Sequence, residues 1–310
     1  MRVAITGAAG YIGRQVIQRL EDDGGESIIG ISRRKWNHQF STLDYHSLDV
    51  RSSSLPDLLE KKDVDAVVHL AFVVNPLHDE KEMHSINVDG TRNLLEAAAR
   101  AEVDKVIVTS STMVYGAWPD NPPQLTEDAP LRGHPTYYYN RDKIAVENLC
   151  REFQRQHPDI IMTVLRPCLV LGPTVDQFYS RLLNWPVLPL VGRHNPPLQF
   201  VHEEDVARAY HHFLEQDIGG TFNIVGSGTM TWREVVETAG KRAVSLPPAL
   251  LYPLVSLAWR LHLTEVPPQV LDFIRYPWVA SNQKSRKAGF QPRYSTRETL
   301  ASFLQGRKKF

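Results

Sequence analysis

The sequence predicts an α/β fold in which a doubly wound parallel sheet is followed by a smaller C-terminal lobe. Short apolar runs alternate with longer amphipathic segments from the start of the chain, which is typical of repeated β-α-β units. Two of the runs, DAVVHLA (65–71) and KVIVTS (105–110), are almost continuously apolar, as parallel strands covered on both faces are. After Gly172 the pattern changes, because proline-rich stretches such as WPVLPLVGRHNPP separate short elements.

The predicted elements of the sheet follow one another in the order that such units require. The predicted strands are RVAIT (2–6), SIIGIS (27–32), DAVVHLA, KVIVTS, residues 160–166 and TFNIV (221–225), the last strand of the sheet. The predicted helices are residues 12–20, 84–101 and 139–156. In the second helix, Ile86, Leu94, Leu95 and Ala98 recur at helical spacing, so that one side of it is apolar.

Composition narrows the classes of function. The chain has 310 residues, of which 42% are hydrophobic and 23% charged, as in ordinary globular proteins. Lysine plus arginine equals aspartate plus glutamate at 35 each, so we expect a small-molecule partner and no nucleic acid. Cys150 and Cys168 lie in apolar sequence without a disulfide or metal-ligand pattern. We therefore expect buried thiols and a reducing, cytoplasmic location.

No segment of the sequence predicts export or membrane insertion. The first predicted strand begins at Arg2, which leaves no room for a signal peptide. The most apolar window, residues 247–263, is too short to span a bilayer and is interrupted by Pro253, Arg260 and His262. We expect this window to be a core or pocket-lining helix, with a surface or membrane-contacting helix as the alternative.

The twelve histidines show no metal-binding pattern. His211 and His212 are adjacent, so they cannot face one ion from a helix, and no HExxH motif or carboxylate cluster is present. We expect no metal site. His202, in FVHEEDVARA, is expected to be structural.

Three glycines follow the first predicted strand and lie at the start of the first predicted helix. The segment TGAAGYIG places Gly7, Gly10 and Gly13 at this junction. Without Cβ atoms there, a pyrophosphate can reach the backbone N–H groups and the positive end of the helix. The pattern therefore predicts dinucleotide binding. We expect a dinucleotide-binding domain over residues 1–171, to which segments within 198–226 return, and a mainly substrate-binding lobe over residues 172–197 and 227–310.

The residues after the second strand distinguish NAD from NADP. An acidic residue there would bind the ribose 2′-hydroxyl, but this chain has Ser32, Arg33 and Arg34. Guanidinium groups and a hydroxyl suit a 2′-phosphate, so we predict NADP, with NAD as the alternative. A solvated basic loop is the other interpretation of the arginines. Asp49 is placed to accept from an adenine amino group, unless it belongs to an ordinary strand-end turn.

Three consecutive tyrosines precede a lysine in PTYYYNRDK. Residues four apart on a helix share a face, and only Tyr139 has a lysine, Lys143, at that spacing. Tyr138 is followed at that spacing by Asp142, whose charge would raise the pKa of a phenol, and Tyr137 by an arginine. Tyr139 and Lys143 are therefore the candidate pair for proton exchange, with Lys143 lowering the pKa of Tyr139. Tyr137 and Tyr138 are expected to be pocket wall or packing.

Further motifs extend over almost the whole chain. They are TGAAGYIG, DAVVHLA, NVDGT, VTSSTMVYG, YNRDKIAVE, LRPCLVLGP, FVHEEDVARA and NQKSRKAGFQP. With them the chain resembles an extended short-chain dehydrogenase/reductase of the NAD-dependent epimerase/dehydratase family, which implies a Rossmann fold. The resemblance also assigns the catalytic pair to Tyr139 and Lys143, and it gives Ser111 the position of the hydroxyl that polarises the reacting oxygen. Ser110 and Thr112 should point the other way, unless a bulge at the strand end exchanges the roles.

The resemblance implies a cofactor site and an assembly. The expected cofactor-binding residues are Gly7, Gly10, Tyr11, Ile12, Gly13, Ser32, Arg33, Arg34, Asp49, Val50, Leu70, Ala71, Phe72, Asn87, Tyr139, Lys143 and Pro167. Lys143 is expected to hold the nicotinamide ribose, and Asn87 has a family position that supports the local structure. Many relatives pair the helices that correspond to residues 87–101 and 139–156 across a two-fold axis, so a homodimer is possible.

Two segments depart from the pattern of relatives that act on nucleotide-linked sugars. Leu169 stands where those relatives have an Asn, and Leu198, Gln199 and Phe200 stand where an Arg for the diphosphate is usual. The remaining candidates for a diphosphate in the lobe are Arg181, Arg193 and Arg275. The lobe is also rich in aromatic residues, namely Trp185, Trp232, Tyr252, Trp259 and Trp278. A less polar ketone or alcohol is therefore a serious candidate.

These observations predict NAD(P)-dependent hydride transfer at a secondary alcohol or ketone, with Ser111, Tyr139 and Lys143 as the catalytic residues. A nucleotide-sugar epimerase with tightly held NAD is the first alternative. A non-catalytic NADP-sensing or interaction protein is the second. Dehydration is disfavoured, since Thr112 and Met113 stand where dehydratases of the family commonly carry an acid/base pair.

Overall fold

The computed structural model describes residues 1–24 and 27–307, and a parallel sheet lies at its centre. Its strands and those of three smaller pairs are β1 (Arg2–Thr6), β2 (Ser27–Ser32), β3 (Leu43–Ser47), β4 (Ala66–His69), β5 (Lys105–Thr109), β6 (Ile161–Pro167), β7 (Leu169–Leu171), β8 (Val187–Val191), β9 (Pro197–Leu198), β10 (Phe200–His202), β11 (Gly220–Ile224), β12 (Met230–Thr231) and β13 (Arg242–Leu246). The helices are α1 (Tyr11–Asp23), α2 (Leu55–Lys61), α3 (Glu80–His84), α4 (Gly90–Arg100), α5 (Tyr138–Gln156), α6 (Phe178–Leu182), α7 (Glu203–Glu215), α8 (Trp232–Thr238), α9 (Pro248–Arg260), α10 (Gln283–Lys287) and α11 (Thr296–Arg307).

The main sheet has seven strands within the described residues, in the order β11-β6-β5-β4-β1-β2-β3. Its strands pair in parallel throughout. The chain runs outward from β1 to β3 on one side and from β4 to β11 on the other, so the direction of winding reverses between β1 and β4. A crevice for ligands forms at the carboxyl ends of the strands beside such a reversal. The predicted doubly wound Rossmann fold is confirmed, including its last strand, β11.

Side chains of successive strand residues enter two separate cores, one on each face of the sheet. Val3 and Ile5 of β1 pack in the core that includes Val16 of α1, whereas Ala4 packs in the core that includes Leu94 of α4. This alternation follows from the two-residue period of a strand. Both faces are apolar because helices cover both, which is why β4 and β5 are almost continuously apolar.

The helix predicted over residues 84–101 begins earlier and is locally distorted. α3 and α4 are joined by a π-helical segment, Ser85–Asp89, so that the helical backbone runs from Glu80 to Arg100. Segments of this kind add one residue to a turn and are frequent at functional sites. Asn87 lies within it and is fully buried.

The C-terminal lobe is built from short strand pairs and helices. β8 pairs in parallel with β13, and β9 pairs antiparallel with β12. The predicted domain boundary at residue 171 stays a prediction. The prediction that residues 247–263 form a core or pocket-lining helix is wrong, because α9 lies on the surface with only Leu251 fully buried. Among the described residues, no helix combines the length and the apolar character needed to cross a bilayer.

Candidate active site

A cavity lies at the carboxyl ends of the central strands, beside the junction of β1 and α1. Among its lining residues, Leu70 directly follows β4, Thr109 and Ser110 lie at the end of β5, and Pro167 ends β6. Tyr139 and Lys143 line it from α5, and the C-terminal lobe closes the other side. The cavity therefore brings together segments that are far apart in the sequence.

The predicted glycines form the turn between β1 and α1, and two of them leave no room for a side chain. Gly7 has a φ of +72°, and a Cβ built on it would lie 2.7 Å from the backbone nitrogen of Ala71. A Cβ on Gly13 would lie 2.4 Å from the carbonyl oxygen of Gly7. Gly10 precedes α1, and no side chain caps the first N–H groups of this helix, which are therefore available to bind an anion.

The first turn of α1 also contributes to the cavity wall. Tyr11 and Ile12 both line it. The Tyr11 hydroxyl donates to the Glu203 carboxylate, and burial together with that carboxylate raises the pKa of Tyr11 well above its ordinary value. Tyr11 therefore acts as a hydrogen-bond donor at neutral pH and ties α1 to the start of α7.

Charged residues gather beyond the end of β2. Arg33 and Arg34 are exposed, and the Arg33 guanidinium lies 3.8 Å from the Asp49 carboxylate and 3.7 Å from that of Glu82. Arg51, which the sequence analysis missed, donates to the two Asp49 oxygens at 3.0 and 2.9 Å. These bonds from Arg51 are the main cause that lowers the pKa of Asp49. Asp49 is thus held by a neighbouring arginine that its position in SLDVR could have suggested.

Two other predicted cofactor residues lie near this charged group. Ser32 ends β2 and is half-buried. Val50 is buried and packs against the start of α4, where a Cβ on Gly90 would lie 2.6 Å from its Cγ2 atom. Val50 therefore shapes the floor of this region through packing.

The segment after β4 forms another part of the wall. Leu70 and Phe72 line the cavity, while Asn87 lies beneath this loop. The Asn87 Oδ1 atom accepts from the Val73 N–H at 2.8 Å, and its Nδ2 atom donates to Asp142 at 2.9 Å. Asn87 thus supports the loop from below, consistent with its expected structural role, and is not among the residues that line the cavity.

The three consecutive tyrosines have three different environments. α5 begins at Tyr138, so Tyr139 and Lys143 lie one turn apart on the same face, as the spacing predicted, and both line the cavity. Tyr137 is buried in the wall. The Tyr138 hydroxyl is directed away, toward the Val74 carbonyl at 3.3 Å. Asp142 contributes to raising the pKa of Tyr138, although burial is the larger cause.

The electrostatic relation between Tyr139 and Lys143 differs from the expectation. Burial raises the pKa of Tyr139 to about 12, and the contribution that lowers it comes from a hydrogen bond with Ser111. The Lys143 Nζ atom lies 5.9 Å from the centroid of the Tyr139 ring and donates instead to the Thr109 carbonyl at 2.8 Å. The predicted lowering of the pKa of Tyr139 by Lys143 is therefore wrong for this arrangement.

Lys143 itself is strongly affected by its surroundings. Burial lowers its pKa to about 7, against the opposing charges of Glu147 and Asp142. Its Nζ atom lies 3.5 Å from the centroid of the Phe72 ring, at a distance where the π face attracts a cation. A lysine with this pKa can hold or release a proton near neutral pH.

The three hydroxyls after β5 lie in three different environments. The Ser110 hydroxyl donates to the Glu147 carboxylate. Ser111 contacts Tyr139 and accepts from the Met113 N–H at 3.2 Å. Thr112 is fully buried. Ser110 also lines the cavity, but its hydroxyl is bonded to Glu147 of a buried ion pair, so Ser111 is the hydroxyl that contacts Tyr139.

This buried ion pair supports the site from behind. Arg166 donates to both carboxylate oxygens of Glu147, at 2.8 and 2.6 Å. Arg166 also donates to the Tyr115 hydroxyl at 2.7 Å, which in turn donates to Asn223 at 2.8 Å. Breaking a buried pair of this kind leaves an uncompensated charge, so the network holds α5, β6 and β11 in a defined relation.

The substrate side of the cavity is predominantly apolar. Leu169, Leu198 and Phe200 line it, so the three apolar replacements noted in the sequence face the cavity. Gln199 does not line it, since its Oε1 atom accepts from the Ala280 N–H at 2.9 Å. The lobe adds further apolar and aromatic lining residues, namely Trp232, Val270, Phe273, Ile274 and Trp278.

The arginines considered for a diphosphate lie elsewhere. Arg181, Arg193 and Arg275 are not among the described residues that line the cavity. Arg181 pairs with Glu265 at 2.7 Å, and the Arg275 guanidinium lies 4.7 Å from the Tyr276 ring centroid. The cavity does contain residues that the sequence analysis did not connect with it, namely Cys168, Gln177, Phe178 and Tyr179. Cys168 directly follows Pro167, a residue that was predicted. Gln177, Phe178 and Tyr179 are brought to the site by the fold alone.

Within residues 1–24 and 27–307 no group of three or more metal-ligating side chains could hold an ion. His202 caps α7, where its Nδ1 atom accepts from the Glu204 N–H at 3.2 Å. Both cysteines are buried, as expected. Ser111, Tyr139 and Lys143 bring a hydroxyl, a phenol and an amine to the cavity lining.

Comparison with known proteins gives a consistent assignment. An uncharacterised protein of Mycobacterium tuberculosis is 27% identical over 314 residues, which cover 98% of this chain and 84% of the relative. The low-salt glycan biosynthesis protein Agl12 of Haloferax volcanii is 29% identical over 269 residues, which cover 77% and 83%. The structure of MoeE5 in complex with UDP-glucuronic acid and NAD matches with a TM-score of 0.79 at 25% identity, covering 100% of this chain and 99% of that one.

A more distant structure has the same fold. The UDP-glucuronic acid 4-epimerase of Bacillus cereus in complex with NAD matches with a TM-score of 0.77 at 21% identity, over 100% of this chain and 99% of that one. The sequence profile described as the NAD dependent epimerase/dehydratase family matches residues 3–225. The chain therefore belongs to the NAD dependent epimerase/dehydratase family.

Proposed function

We propose that this protein transfers hydride between NADP and a secondary alcohol or ketone of an apolar small molecule. The observation that carries the proposal is the contact between Ser111 and Tyr139 in a largely apolar cavity, with Lys143 one helical turn away. The turn at Gly7 and Gly13 supports binding of a nicotinamide dinucleotide, because no side chain caps the start of α1 and the backbone packs too closely at both glycines to admit a Cβ.

Each catalytic side chain has a separate task in this proposal. When bound, the nicotinamide supplies or accepts the hydride. Ser111 donates a hydrogen bond to the substrate oxygen, and Tyr139 exchanges the proton of that oxygen. A phenol with a pKa of about 12 keeps its proton at neutral pH, which suits donation to a ketone oxygen. Lys143 lies one helical turn away and, with a pKa of about 7, can itself gain or lose a proton near neutral pH.

The preference for NADP is proposed on the arginines after β2. Arg33 and Arg34 are exposed at the carboxyl end of that strand, where the adenosine ribose binds in folds of this type. The carboxylates of Asp49 and Glu82 compete for Arg33, so that a 2′-phosphate has to displace contacts of 3.7 to 3.8 Å. These contacts are long and half-exposed, and they are therefore weak.

The apolar substrate is proposed on the cavity lining. A sugar nucleotide needs charged or polar partners for its diphosphate, whereas Leu169, Leu198 and Phe200 offer none. The test is a panel of apolar ketones and secondary alcohols, together with UDP sugars, in which oxidation of NADPH or reduction of NADP is followed by absorbance. Turnover that is lost in Tyr139→Phe and kept in the matched control Tyr138→Phe supports the proposal. Turnover of UDP sugars alone contradicts it.

A nucleotide-sugar epimerase with tightly held NAD is the second candidate. The solved relative at 25% identity, bound to UDP-glucuronic acid and NAD, favours it. The purified protein would then release NAD on denaturation, as identified by mass, and would equilibrate epimeric UDP sugars without added cofactor. Binding of NADPH without turnover of any compound in the panel would instead favour a non-catalytic NADP-sensing protein.

We also propose a possible homodimer through α4 and α5. The outward sides of these helices carry mainly charged residues, among them Arg92, Glu96, Arg151 and Arg155. Such an interface depends on paired charges more than on apolar burial, so it should weaken as salt is raised. Light scattering at micromolar concentration and two salt concentrations tests it. A 35 kDa species alone at low salt removes the proposal.

A further inference from the structure

One side of α9 carries leucines that make few contacts with the protein. Leu250, Leu254, Leu257 and Leu261 follow one another at spacings of four, three and four residues, so they share one face. Each is between 54% and 58% exposed. The opposite side of the helix packs on the lobe through Leu251, which is buried. α9 is therefore apolar on the side that faces away from the protein.

The apolar surface continues past the end of the helix. Leu263 is 75% exposed. The ring of His78 stacks on Trp259 at 4.0 Å, which brings the neighbouring exposed residue Leu77 to the same end of α9. Single exposed leucines are ordinary, whereas a continuous row of them marks a surface that binds another apolar surface. We call the face formed by Leu250, Leu254, Leu257 and Leu261 the leucine face.

The charges in this part of the chain have one sign. Residues 239–264 contain no aspartate or glutamate, but they include Lys241, Arg242 and Arg260. Arg242 and Arg260 are exposed. Glu265, the next acidic residue along the chain, is already paired with an arginine at 2.7 Å. The segment that carries the leucine face therefore has a net positive charge, which is complementary to an anionic partner and not to a second copy of the same segment, since two copies would bring like charges together.

We propose that α9 docks on the surface of an anionic lipid bilayer. The leucine face enters the boundary between headgroups and acyl chains, and Lys241, Arg242 and Arg260 contact the phosphate headgroups. Helices that lie in the interface combine an apolar face with basic flanks in this way, and they need not be long enough to span. Trp259, half-buried at the same end, is a residue type that favours the interfacial region.

Docking through α9 would place a bilayer close to the candidate active site. α9 packs against the segment Pro268–Ile274, and Val270 and Ile274 of this segment line the cavity. Ile274 also packs in the small cluster that includes Leu251 of α9. Apolar substrates would then have a short route from the lipid to the cavity. This consequence depends on the proposed apolar substrate, whereas the docking itself does not.

The test is sedimentation of the full-length protein with lipid vesicles, without substrate or cofactor. Vesicles of equal parts phosphatidylcholine and phosphatidylglycerol should bind the protein, and pure phosphatidylcholine vesicles should bind it at least ~10-fold more weakly. The variant with Leu254→Gln, Leu257→Gln and Leu261→Gln should lose at least ~10-fold in binding. The matched variant with methionine at the same three positions stays apolar and helical, so it should still bind.

Several outcomes would overturn the proposal. Circular dichroism and thermal melting establish that each variant is folded before its binding is interpreted. Failure of the folded wild-type protein to bind anionic vesicles would refute docking, as would equal binding by the glutamine variant. A dimer in light scattering that the glutamine variant abolishes, without vesicle binding by the wild type, would assign the leucine face to a second copy. Because the readout is independent of turnover, it separates this proposal from the proposed reaction.

Discussion

Replacement of Lys143 by methionine should stabilise the folded protein near neutral pH while it abolishes turnover. Burial lowers the pKa of this lysine from its ordinary 10.5 to about 7. The folded state therefore binds the proton less tightly than the unfolded chain does, and the lysine lowers stability. The free energy of unfolding is lowered by the full amount below the folded-state pKa of about 7, and this destabilisation disappears as the pH rises to 10.5. Methionine has a similar length and carries no charge.

The two pKa values set the size of the effect. A difference of roughly 3.5 between them corresponds to ~5 kcal/mol, at ~1.4 kcal/mol for each pKa unit. Loss of the Nζ hydrogen bond to Thr109 and of the contact with the Phe72 ring offsets ~1 to 3 kcal/mol of this. The net gain in the free energy of unfolding should thus be ~2 to 4 kcal/mol near pH 6. It should fall by ~1.4 kcal/mol per pH unit between about pH 7 and pH 10.

Urea unfolding of both proteins at several pH values between about 6 and 9.5 measures the difference. Other groups titrate in both proteins, so their contributions cancel. Lys105 is also buried but, unlike Lys143, has a carboxylate partner. Its ammonium donates to the Leu214 carbonyl at 2.6 Å and lies 3.1 Å from the Asp217 carboxylate. Lys105→Met should therefore destabilise the protein. A difference between wild type and Lys143→Met that does not change with pH would refute the reasoning, since Lys143 would then titrate normally.

The remaining predictions concern the cofactor and the proton donor. Tyr139→Phe should lower turnover by ~10² to 10⁴ and leave NADPH affinity unchanged, whereas Tyr138→Phe should stay active in steady-state kinetics; the reverse result would reopen the assignment. Arg33→Ala combined with Arg34→Ala should reduce the preference for NADPH over NADH by ~10-fold or more in calorimetric titrations. If the wild-type protein binds NADPH and NADH with equal affinity, this prediction is wrong. Gly13→Ala should weaken cofactor binding and cost ~1 to 3 kcal/mol in thermal melts, because its Cβ would lie 2.4 Å from a backbone oxygen; unchanged melting and binding would contradict the close-packed turn.

The features that the sequence by itself determined are those that depend on local periodicity. The turn at Gly7 and Gly13 follows from glycines directly after a strand, because the backbone there admits no Cβ. The shared face of Tyr139 and Lys143 follows from a spacing of four residues on a helix. The order of β1, β2, β4, β5, β6 and β11 follows from alternating short apolar runs and amphipathic segments, whereas the edge strand β3 was not predicted. Each inference needs only neighbours within about one helical turn or one strand.

Only the tertiary structure decided which groups become neighbours across long separations. Phe273 and Trp278 line the same cavity as Ser111, although more than a hundred residues lie between them in the chain. The pKa of Lys143 is lowered by burial beneath several elements, and no local pattern could have predicted this shift. The same holds for Tyr139, whose pKa stays high although Lys143 lies one turn away. The same holds for α9. Its apolar composition predicts that the helix contacts another apolar surface, but it does not predict which of its faces the rest of the chain covers. Burial is a property of the whole fold, and each side chain's exposure is set by residues distant in sequence.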